Sequence, residues 1–398
     1  MLDSIYIGMT GLSGYAEGLR LISNNSANLD TPGFKGSTLQ FGDLFQRDAG
    51  ATGSGGEAMI GSGLNTFGSS LNFKQGELRS TGNSLDLAID GSGLFTLRDG
   101  KGDLHYTRDG EFQFDTTGVL VDRTDGSRVV SVDASGAQGI FQLDGHRIYP
   151  PAATTTITFE NNIDAGSQAT ETLENVTVID GAGMTHNLSI VFTAPTAQNP
   201  GEWGVALMDG TTPVDTGTLY STQGIIDTSR AVLTMHYHVA SQNEDLPLVL
   251  DFSKNVTAFQ STNGDSNKIA VRDHDGYVTG GLTNVSFDDQ GTLVYTYSNG
   301  KTTNGPKLAL ARFDTTAGVK PHGSNQFDVA DAAVWHFGAS GDAGFGALRS
   351  GQVEISNVDL SQEFSDLVVM QRGYQASSQV VSTANEMIQQ LFSMSNGK

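Results

Sequence analysis

Cysteine is absent from the 398 residues of this chain. Its absence excludes disulfide bonds, thiolate metal sites and cysteine nucleophiles, so folding is independent of the redox state of the compartment. Proline is scarce as well, with 9 of 398 residues, or about 2%, against about 5% in an average composition. A cysteine-free, proline-poor chain is compatible with export as an unfolded thread.

Basic residues are also few. The chain has 22 Lys and Arg against 44 Asp and Glu, which gives a formal net charge of −22. This excess of negative charge repels nucleic-acid phosphates and anionic lipid surfaces. We therefore expect no nucleic-acid partner.

Long apolar runs are missing too. The sequence contains no stretch of about 18 apolar residues, so we predict no membrane insertion. Its first basic residue is Arg20, and no continuous apolar segment precedes it, which is unlike a secretory signal peptide. If the protein is exported, we expect a route without a cleavable signal peptide.

Glycine, by contrast, is abundant. Glycine accounts for 50 of the 398 residues, or about 13%, against a typical share of about 7%. Apolar and polar residues also alternate along the middle of the chain. Residues 85–97 predict a hairpin, and the pattern Phe-Asp-x-x-Gly-x-Leu-Val occurs at 114–121 and again at 287–294. These features predict a turn-rich β region.

Both ends of the chain have helical periodicity. Near the N-terminus, apolar residues recur at steps of three, four or seven, namely Ile5, Met9, Leu12, Ala16, Leu19, Ile22 and Leu29. Near the C-terminus, apolar residues recur at seven-residue intervals, namely Leu360, Leu367, Tyr374, Val381 and Ile388. They are flanked by Phe364, Val368, Met370, Met387 and Leu391. We expect Asp359 or Ser361 to cap the second helix.

Together these patterns predict a mixed, mainly β fold with discontinuous β domains. The N- and C-terminal α-helices are expected to form a coiled-coil-like terminal domain. The predicted ranges are terminal helices at 1–30 and 359–398, a connector at 31–72, an inner β domain at 73–147 and 281–358, and an outer β domain at 148–280 inserted in the inner one. Within the connector, the glycine-rich residues 50–63 are expected to be flexible.

The sequence leaves two arrangements of the helices open. In one, the helices pack on the β domain or on each other within a single chain. In the other, their apolar stripes bind neighbouring copies of the chain.

The segment NNSANLDTPGFK predicts how the first helix ends. Asn25 and Asn28 can hydrogen-bond to the nearby backbone, and Pro32 disfavours helical conformation in the residue before it. Pro32 and Gly33 suit the central positions of a type II turn, and Phe34 offers an apolar anchor after it. We interpret the segment as a helix-exit turn without a reactive group.

Motifs for catalysis or cofactor binding are weak. No phosphate-binding loop, nucleophile elbow or zinc-binding helix with paired histidines occurs. His236 and His238 share one face of a strand without an obvious third ligand, and Asp273 and Asp275 lack the rest of a calcium loop. We expect no cofactor, no metal and no catalytic residue. Two carboxylates that meet only in space would leave no local motif, so a hidden enzyme stays a minor alternative.

Four ordered blocks resemble a known family. SNNSANLDTPGFKGS is similar to the N-terminal signature of the flagellar rod and hook (axial) proteins, NN-hydrophobic-AN-x-x-T-x-GFK-x-S, with Ser26 in place of the usual aliphatic residue. Three further segments resemble the later blocks, namely NFKQGELRSTGNSLDLAIDGSGLF, YTRDGEFQFDTTGVLV and FSDLVVMQRGYQASSQVVSTANEMIQQL. The inserted residues 148–280 resemble the hook branch of the family, because the rod members have a shorter middle.

The resemblance implies a structural subunit that polymerises with itself into a curved hollow tube. This tube is the extracellular hook, a universal joint that transmits motor torque to the filament. The implied partners are the flagellar rod, the hook cap, the hook–filament junction proteins and the type III export apparatus. The expected polymerisation residues are Ile5, Met9, Leu12, Leu19, Ile22, Leu360, Phe364, Leu367, Tyr374, Val381, Ile388 and Leu391.

Two alternatives remain at this point. One is a distal rod or other axial protein with an enlarged middle. The other belongs to a different class, an extracellular β-rich adhesin or glycan-binding protein, and is suggested by the Gly-, Thr- and Asn-rich strands of residues 148–280.

Overall fold

The computed structural model describes residues 2–43, 47–48, 59–60, 63–133, 135–164, 169–240, 243–259 and 268–395. The chain forms two compact units. Unit 1 comprises residues 1–144, 285–294 and 304–398, and unit 2 comprises 145–284 and 295–303. Most of the segment predicted to be flexible, 50–63, lies outside the described residues.

The first part of unit 1 contains one helix and twelve short strands among its described residues. The helix is α1 (Leu2–Ala27). The strands are β1 (Ser37–Asp43), β2 (Arg47–Asp48), β3 (Met59–Ile60), β4 (Leu64–Leu71), β5 (Leu78–Ser80), β6 (Leu87–Asp90), β7 (Leu94–Arg98), β8 (Leu104–Thr107), β9 (Phe112–Phe114), β10 (Leu120–Asp122), β11 (Arg128–Val132) and β12 (Gln138–Ile140).

The middle of the chain supplies longer strands. Unit 2 has β13 (Ile148–Tyr149), β14 (Thr156–Asn162), β15 (Thr170–Ile179), β16 (Thr185–Thr193), β17 (Glu202–Asp209), β18 (Thr212–Thr222), β19 (Ile225–Ile226), β20 (Val232–Val239), β21 (Glu244–Asp251), β22 (Val256–Thr257) and β23 (Ala270–His274). Three strands contain residues of both units, namely β24 (Gly280–Phe287), β25 (Thr292–Tyr297) and β26 (Thr302–Phe313).

The last part of unit 1 ends in the second helix. Its strands are β27 (Val319–Gly323), β28 (Gln326–Val329), β29 (Trp335–Ala339), β30 (Ala347–Ser350) and β31 (Gln352–Glu354), followed by α2 (Leu360–Ser395). Single 3₁₀ turns occur at Thr228–Arg230, Thr316–Gly318 and Ala332–Val334.

Unit 2 is built around one large sheet. The strand order is β15-β16-β17-β18-β19-β22-β14-β21-β20, with β23 beside β14. Along β17 and β21, buried residues alternate with more exposed ones, as expected for strands with one face on a core. The core includes Trp203, Phe159 and Phe252, and the rings of the last two stack with centroids 4.5 Å apart.

The main sheet of unit 1 is antiparallel. Its strands follow the order β26-β11-β7-β8-β28-β27, and each neighbouring pair is antiparallel. One side of this sheet carries a cluster of buried residues, namely Leu94, Tyr106, Ala311, Val319, Phe327 and Trp335. The indole N–H of Trp335 donates to Gly318 O at 2.8 Å, which satisfies its buried polar atom.

The repeated Phe-Asp-x-x-Gly-x-Leu-Val pattern forms the same turn twice, both times in unit 1. In each copy the aspartate, Asp115 or Asp288, accepts hydrogen bonds through Oδ1 from the backbone N–H groups two and four residues later. The glycine, Gly118 or Gly291, has a positive φ of 80° or 71°. Local sequence therefore specifies this turn, since aspartate binds its own backbone and glycine tolerates the left-handed conformation.

The two helices pack on each other, and the fold is mainly β between them, which confirms the predicted fold class. Helix α1 ends at Ala27, slightly before the predicted limit at residue 30. Asp359 is the cap of α2, because its Oδ1 accepts from Ser361 N at 2.8 Å.

The predicted connector 31–72 contains regular structure. Strands β1 and β4 pair in antiparallel register, and Leu64 N donates to Thr10 Oγ1 of α1 at 3.2 Å. Helix α1 is therefore held directly against this strand pair. The sequence prediction missed the pair because the alternation around Leu39 and Phe41 is short and interrupted by a β-bulge.

Two carboxyl groups of unit 1, those of Asp109 and Asp122, are buried. Asp109 accepts from Glu111 N and from Thr124 Oγ1, at 3.1 Å and 3.3 Å, and Asp122 accepts from Thr124 N at 2.7 Å. Burial raises the pKa of Asp109 to about 7 and that of Asp122 to about 6. The folded chain therefore binds protons that the unfolded chain has already released in this pH range.

This difference predicts a decrease in stability with rising pH. Because the folded pKa of each group lies above its unfolded value, their contribution is complete below about pH 4 and is lost as the pH rises towards about 7. In Asp109→Asn, the unfolding free energy should decrease less steeply with pH over this range. The slopes of the variant and the unaltered chain should differ by at most about 1.4 kcal/mol per pH unit, the effect of one proton. Urea unfolding at a series of pH values measures the slope. The exposed Asp103→Asn is the control, and an unchanged slope in Asp109→Asn would contradict the assignment.

Candidate assembly surface

Helices α1 and α2 meet through small residues. A Cβ at Gly8 would lie 2.6 Å from Val381 Cγ2, and one at Gly11 would lie equally close to a serine hydroxyl of α2. From the opposite side, a Cβ at Gly373 would lie 2.5 Å from the Tyr15 ring. At such distances an added side chain would force its neighbours to shift, so the glycines allow the helix backbones to approach closely.

A different glycine of α1 faces the strand pair β1–β4. A Cβ at Gly14 would lie 2.8 Å from Leu64 Cδ2, and the rings of Tyr15 and Phe41 have centroids 6.0 Å apart. The contacts of α1 within the chain therefore depend on its glycines more than on its large apolar residues.

The apolar stripe predicted on α1 is only partly buried. Ile22 lies in the interior, whereas Met9 keeps 57% of its surface exposed. The half-buried members are Ile5, Leu12 and Leu19, whereas Ala16 is exposed and Leu29 lies beyond the end of the helix.

The predicted residues of α2 are more exposed. Phe364 is 57% exposed, and three others are also exposed, namely Leu360, Tyr374 and Leu391. The half-buried ones are Leu367, Val381 and Ile388. Sequence reasoning missed further exposed apolar residues, namely Tyr6, Ile7, Val369, Val380, Phe392 and Met394. A heptad repeat selects one stripe of a helix, so apolar residues on the other faces escape it.

We define the assembly surface as the exposed apolar residues of both helices, namely Tyr6, Ile7, Met9, Leu360, Phe364, Val368, Val369, Tyr374, Val380, Met387, Leu391, Phe392 and Met394. Exposed apolar patches are candidate interaction sites, and burying such area would contribute about 25 cal/mol per Å². No helix among the described residues is long and apolar enough to cross a membrane.

Asn25 fixes the end of α1. Its side chain is buried, and Nδ2 donates to Ser37 O at 2.8 Å and to Glu363 Oε1 at 2.9 Å. Its Oδ1 accepts from Ser37 N at 3.1 Å. Burial raises the pKa of Glu363, and the hydrogen bond from Asn25 opposes this shift. One amide thus joins α1, strand β1 and the first turn of α2.

A tight turn follows the helix. Phe34 N donates to Thr31 O at 3.3 Å, and Gly33, at the third position, has a φ of +68°, as a type II turn requires. A Cβ on Gly33 would lie 2.3 Å from Asp109 N. Both the conformation and the close approach therefore require glycine at this position. Phe34 itself is half-buried.

Asn28 and Pro32 tie this turn to its surroundings. Asn28 Nδ2 donates to Asn24 O at 2.9 Å, and Asn28 Oδ1 accepts from Thr31 Oγ1 at 3.1 Å. The carbonyl of Pro32 accepts from Asn325 Nδ2 at 3.1 Å. Side chains therefore add to the backbone hydrogen bonds that satisfy the end of α1.

Lys35, directly after the turn, belongs to a buried network of charges. Its ammonium group donates to Glu354 Oε1 and to Lys74 O, and Arg108 Nη1 donates to Glu354 Oε2 at 2.9 Å. The three charged side chains are at most 5% exposed. Burial lowers the pKa of both Lys35 and Arg108, and the charge of Glu354 opposes this shift. One carboxylate thus pairs with two buried cations.

The polar residues singled out in the middle of the sequence have structural partners. His236 Nδ1 lies 3.1 Å from Asp245 Oδ2, and the described residues bring no third metal ligand to His236 and His238. Asp275 accepts hydrogen bonds from the backbone N–H groups of Thr155 and its neighbour. Asp275 therefore connects two segments of unit 2.

Two family models match parts of the chain. Residues 88–165 match the "Flagellar hook protein FlgE/F/G D1 domain", and residues 349–394 match the "Flagellar basal body rod FlgEFG protein C-terminal". The second match contains Glu354 and most of α2.

Complete proteins are similar as well. The flagellar hook protein FlgE of Salmonella typhimurium is 28% identical over 97% of this chain and 98% of its own length. The flagellar basal-body rod protein FlgG of Bacillus subtilis is 25% identical over 99% of both chains. Among solved structures, Helicobacter pylori flagellar hook protein FlgE2 aligns with a TM-score of 0.46 and 13% identity, covering 69% of this chain and 100% of its own.

Removing Glu354 should strongly destabilise unit 1. In Glu354→Ala, Lys35 and Arg108 stay buried without their counter-charge, so the unfolding free energy should decrease by about 3–5 kcal/mol. Urea unfolding of the unassembled chain, followed by circular dichroism, measures the loss.

The matched control is the exposed ion pair of α1. Glu17 and Arg20 lie 3.2 Å apart, and the Arg20 side chain is 81% exposed, so Arg20→Ala should change the unfolding free energy by no more than about 1 kcal/mol. Equal losses in the two variants would show that the buried network has no special role.

Proposed function

We propose that this chain, which belongs to the flagellar rod and hook protein family, is the structural subunit of the bacterial flagellar hook. The observation that carries the proposal is similarity over nearly the full length of a hook protein, together with the apolar assembly surface on both terminal helices. The family is structural, and self-polymerisation is the activity that it implies.

The assembly surface provides the driving force for polymerisation. Its residues are in contact with water in a single chain, and burial between copies removes this area from water at a gain of about 25 cal/mol per Å². Identical copies that meet through different patches continue into a helical tube when the rotation between them does not close. A tube of this kind transmits torque through every subunit contact.

We assign the roles of the segments as follows. The helices at 1–30 and 359–398 form the polymerisation domain, and residues 31–72 lead from it to the inner β domain at 73–147 and 281–358. The outer β domain, 148–280, supplies contacts that break and re-form as the hook bends. Polar contacts suit this task because their net free energy is small.

The remaining partners follow from the position of a hook in the flagellum. We propose contacts with the rod at one end and with the junction proteins at the other, assembly under the hook cap, and export through the type III apparatus. Catalysis has no part in this function.

Phe364→Asp should block polymerisation. Phe364 is exposed in the single chain, so the substitution should leave the unfolding midpoint unchanged. A carboxylate buried at a subunit contact is costly, and the lost apolar area adds to that cost, so the critical concentration for assembly should rise at least about tenfold. Sedimentation of purified polymer measures the critical concentration, and electron microscopy of cells that produce the variant shows whether hooks form.

Gln371→Asp provides the matched control on the same helix. It adds the same charge to an exposed polar position without removing apolar area, and it should assemble far better than Phe364→Asp. Normal assembly of Phe364→Asp would refute the role of the assembly surface.

A distal rod subunit is the second candidate, because the similarity to the Bacillus subtilis rod protein is also full-length. Electron microscopy of a strain that lacks this protein distinguishes the two candidate functions. Loss of a hook subunit should leave basal bodies with complete rods and no hook, whereas loss of a rod subunit should leave truncated rods. Normal hooks in the deletion strain would refute the main proposal.

A further inference from the structure

Two histidines and an aspartate converge on the surface of unit 1. Asp328 Oδ1 lies 2.7 Å from His105 Nδ1, and Asp328 Oδ2 lies 2.9 Å from His322 Nδ1. The two imidazole rings have centroids 4.1 Å apart. Each of the three residues offers one potential metal-ligand atom, and these three atoms lie within 4.8 Å of one another.

The sheet register produces this convergence. Strands β8 and β28 are antiparallel neighbours, and their pairing of Thr107 with Gln326 places His105 opposite Asp328. Strands β28 and β27 are also neighbours, with an irregularity in register around His322. A bulge at this position redirects the side chain, here towards the other histidine.

The environment of the cluster fits a metal centre. The side chain of His105 is only 8% exposed, whereas that of His322 is 48% exposed. The cluster is therefore buried at His105 and accessible to solvent at His322. The second ring nitrogen of His105, Nε2, lies 3.8 Å from Asp99 Oδ2. This separation is an ion-pair distance and is longer than a hydrogen bond. A carboxylate on this side of a metal-binding histidine orients the ring once it accepts the proton of the second nitrogen.

We propose that His105, His322 and Asp328 bind one divalent transition-metal ion of the zinc class, with Asp99 positioning His105. Two imidazoles and one carboxylate are a donor set that zinc accepts, with a solvent-accessible fourth position. When the ion binds through the two Nδ1 atoms, each neutral imidazole carries its proton on Nε2, which for His105 lies on the side of Asp99. The ion cross-links β8, β28 and β27, and therefore stabilises this edge of the unit 1 sheet.

Zinc titration of the untagged, full-length, unassembled chain tests the proposal. Calorimetry should detect one strong site per chain. Affinity should fall at least about 100-fold in His322→Ala and in Asp328→Asn, and about 10–100-fold in Asp99→Asn, because Asp99 acts through His105. Cobalt(II) provides a second readout, since a bound ion gives visible absorption that should disappear in His322→Ala.

His336→Ala is the matched control. His336 Nε2 also contacts an aspartate, Asp314 Oδ2, at 2.8 Å, but the described residues supply no further ligand to this pair. This variant should bind zinc as the unaltered chain does. Far-ultraviolet circular dichroism checks that each variant folds. Zinc binding of equal stoichiometry and affinity in the unaltered chain, His322→Ala and Asp328→Asn would overturn the proposal, as would the absence of a strong site.

Discussion

The pairing of Glu354 with Lys35 and Arg108 holds together the part of unit 1 from which both helices emerge. Its three members come from the segment after α1, from the region after β8 and from the last strand before α2. Each charge is buried, and both cations depend on Glu354 for compensation, so removal of this carboxylate is costly. Asn25 adds a neutral clamp between the same two helices. The end of α1 and the beginning of α2 are thereby held together.

This common base explains how the helices divide their surfaces. Glycines at positions 8, 11 and 14 of α1 permit close contact with α2 and with the strand pair β1–β4. Large apolar side chains, such as Phe364 and Leu391, are left in contact with water. The close contact between the two helices therefore depends on small residues, and the large apolar side chains stay exposed. Under the proposed function, burial of these side chains between copies is the source of the free energy of assembly.

The candidate metal cluster depends on a different constraint, the register of one antiparallel sheet. A shift of one residue in the pairing of β8 with β28 would turn Asp328 away from His105. The buried aromatic residues of the same strands, Tyr106 and Phe327, oppose such a shift because they would leave the core.

The amino-acid sequence by itself determined the local features of this protein. Helix periodicity, the Asp359 cap, the repeated aspartate turn and the mainly β character all depend on residues within a few positions of one another. The type II turn at Gly33 is local in the same sense, but the tight packing of Gly33 on Asp109 is not. The resemblance of the terminal blocks to the flagellar rod and hook proteins is visible in the sequence, because those blocks lie in continuous segments.

Only the tertiary structure decided which surfaces are used and which residues meet. Lys35 and Glu354, and His105 and His322, are far apart along the chain, and no periodicity relates them. The sequence pattern also marked α1 by its large apolar residues, whereas its contacts with α2 run through glycines that carry no hydrophobic signal. The physical reason is that periodicity reports which side chains avoid water. It does not report which backbones approach closely, or which charges find a partner when distant segments fold together.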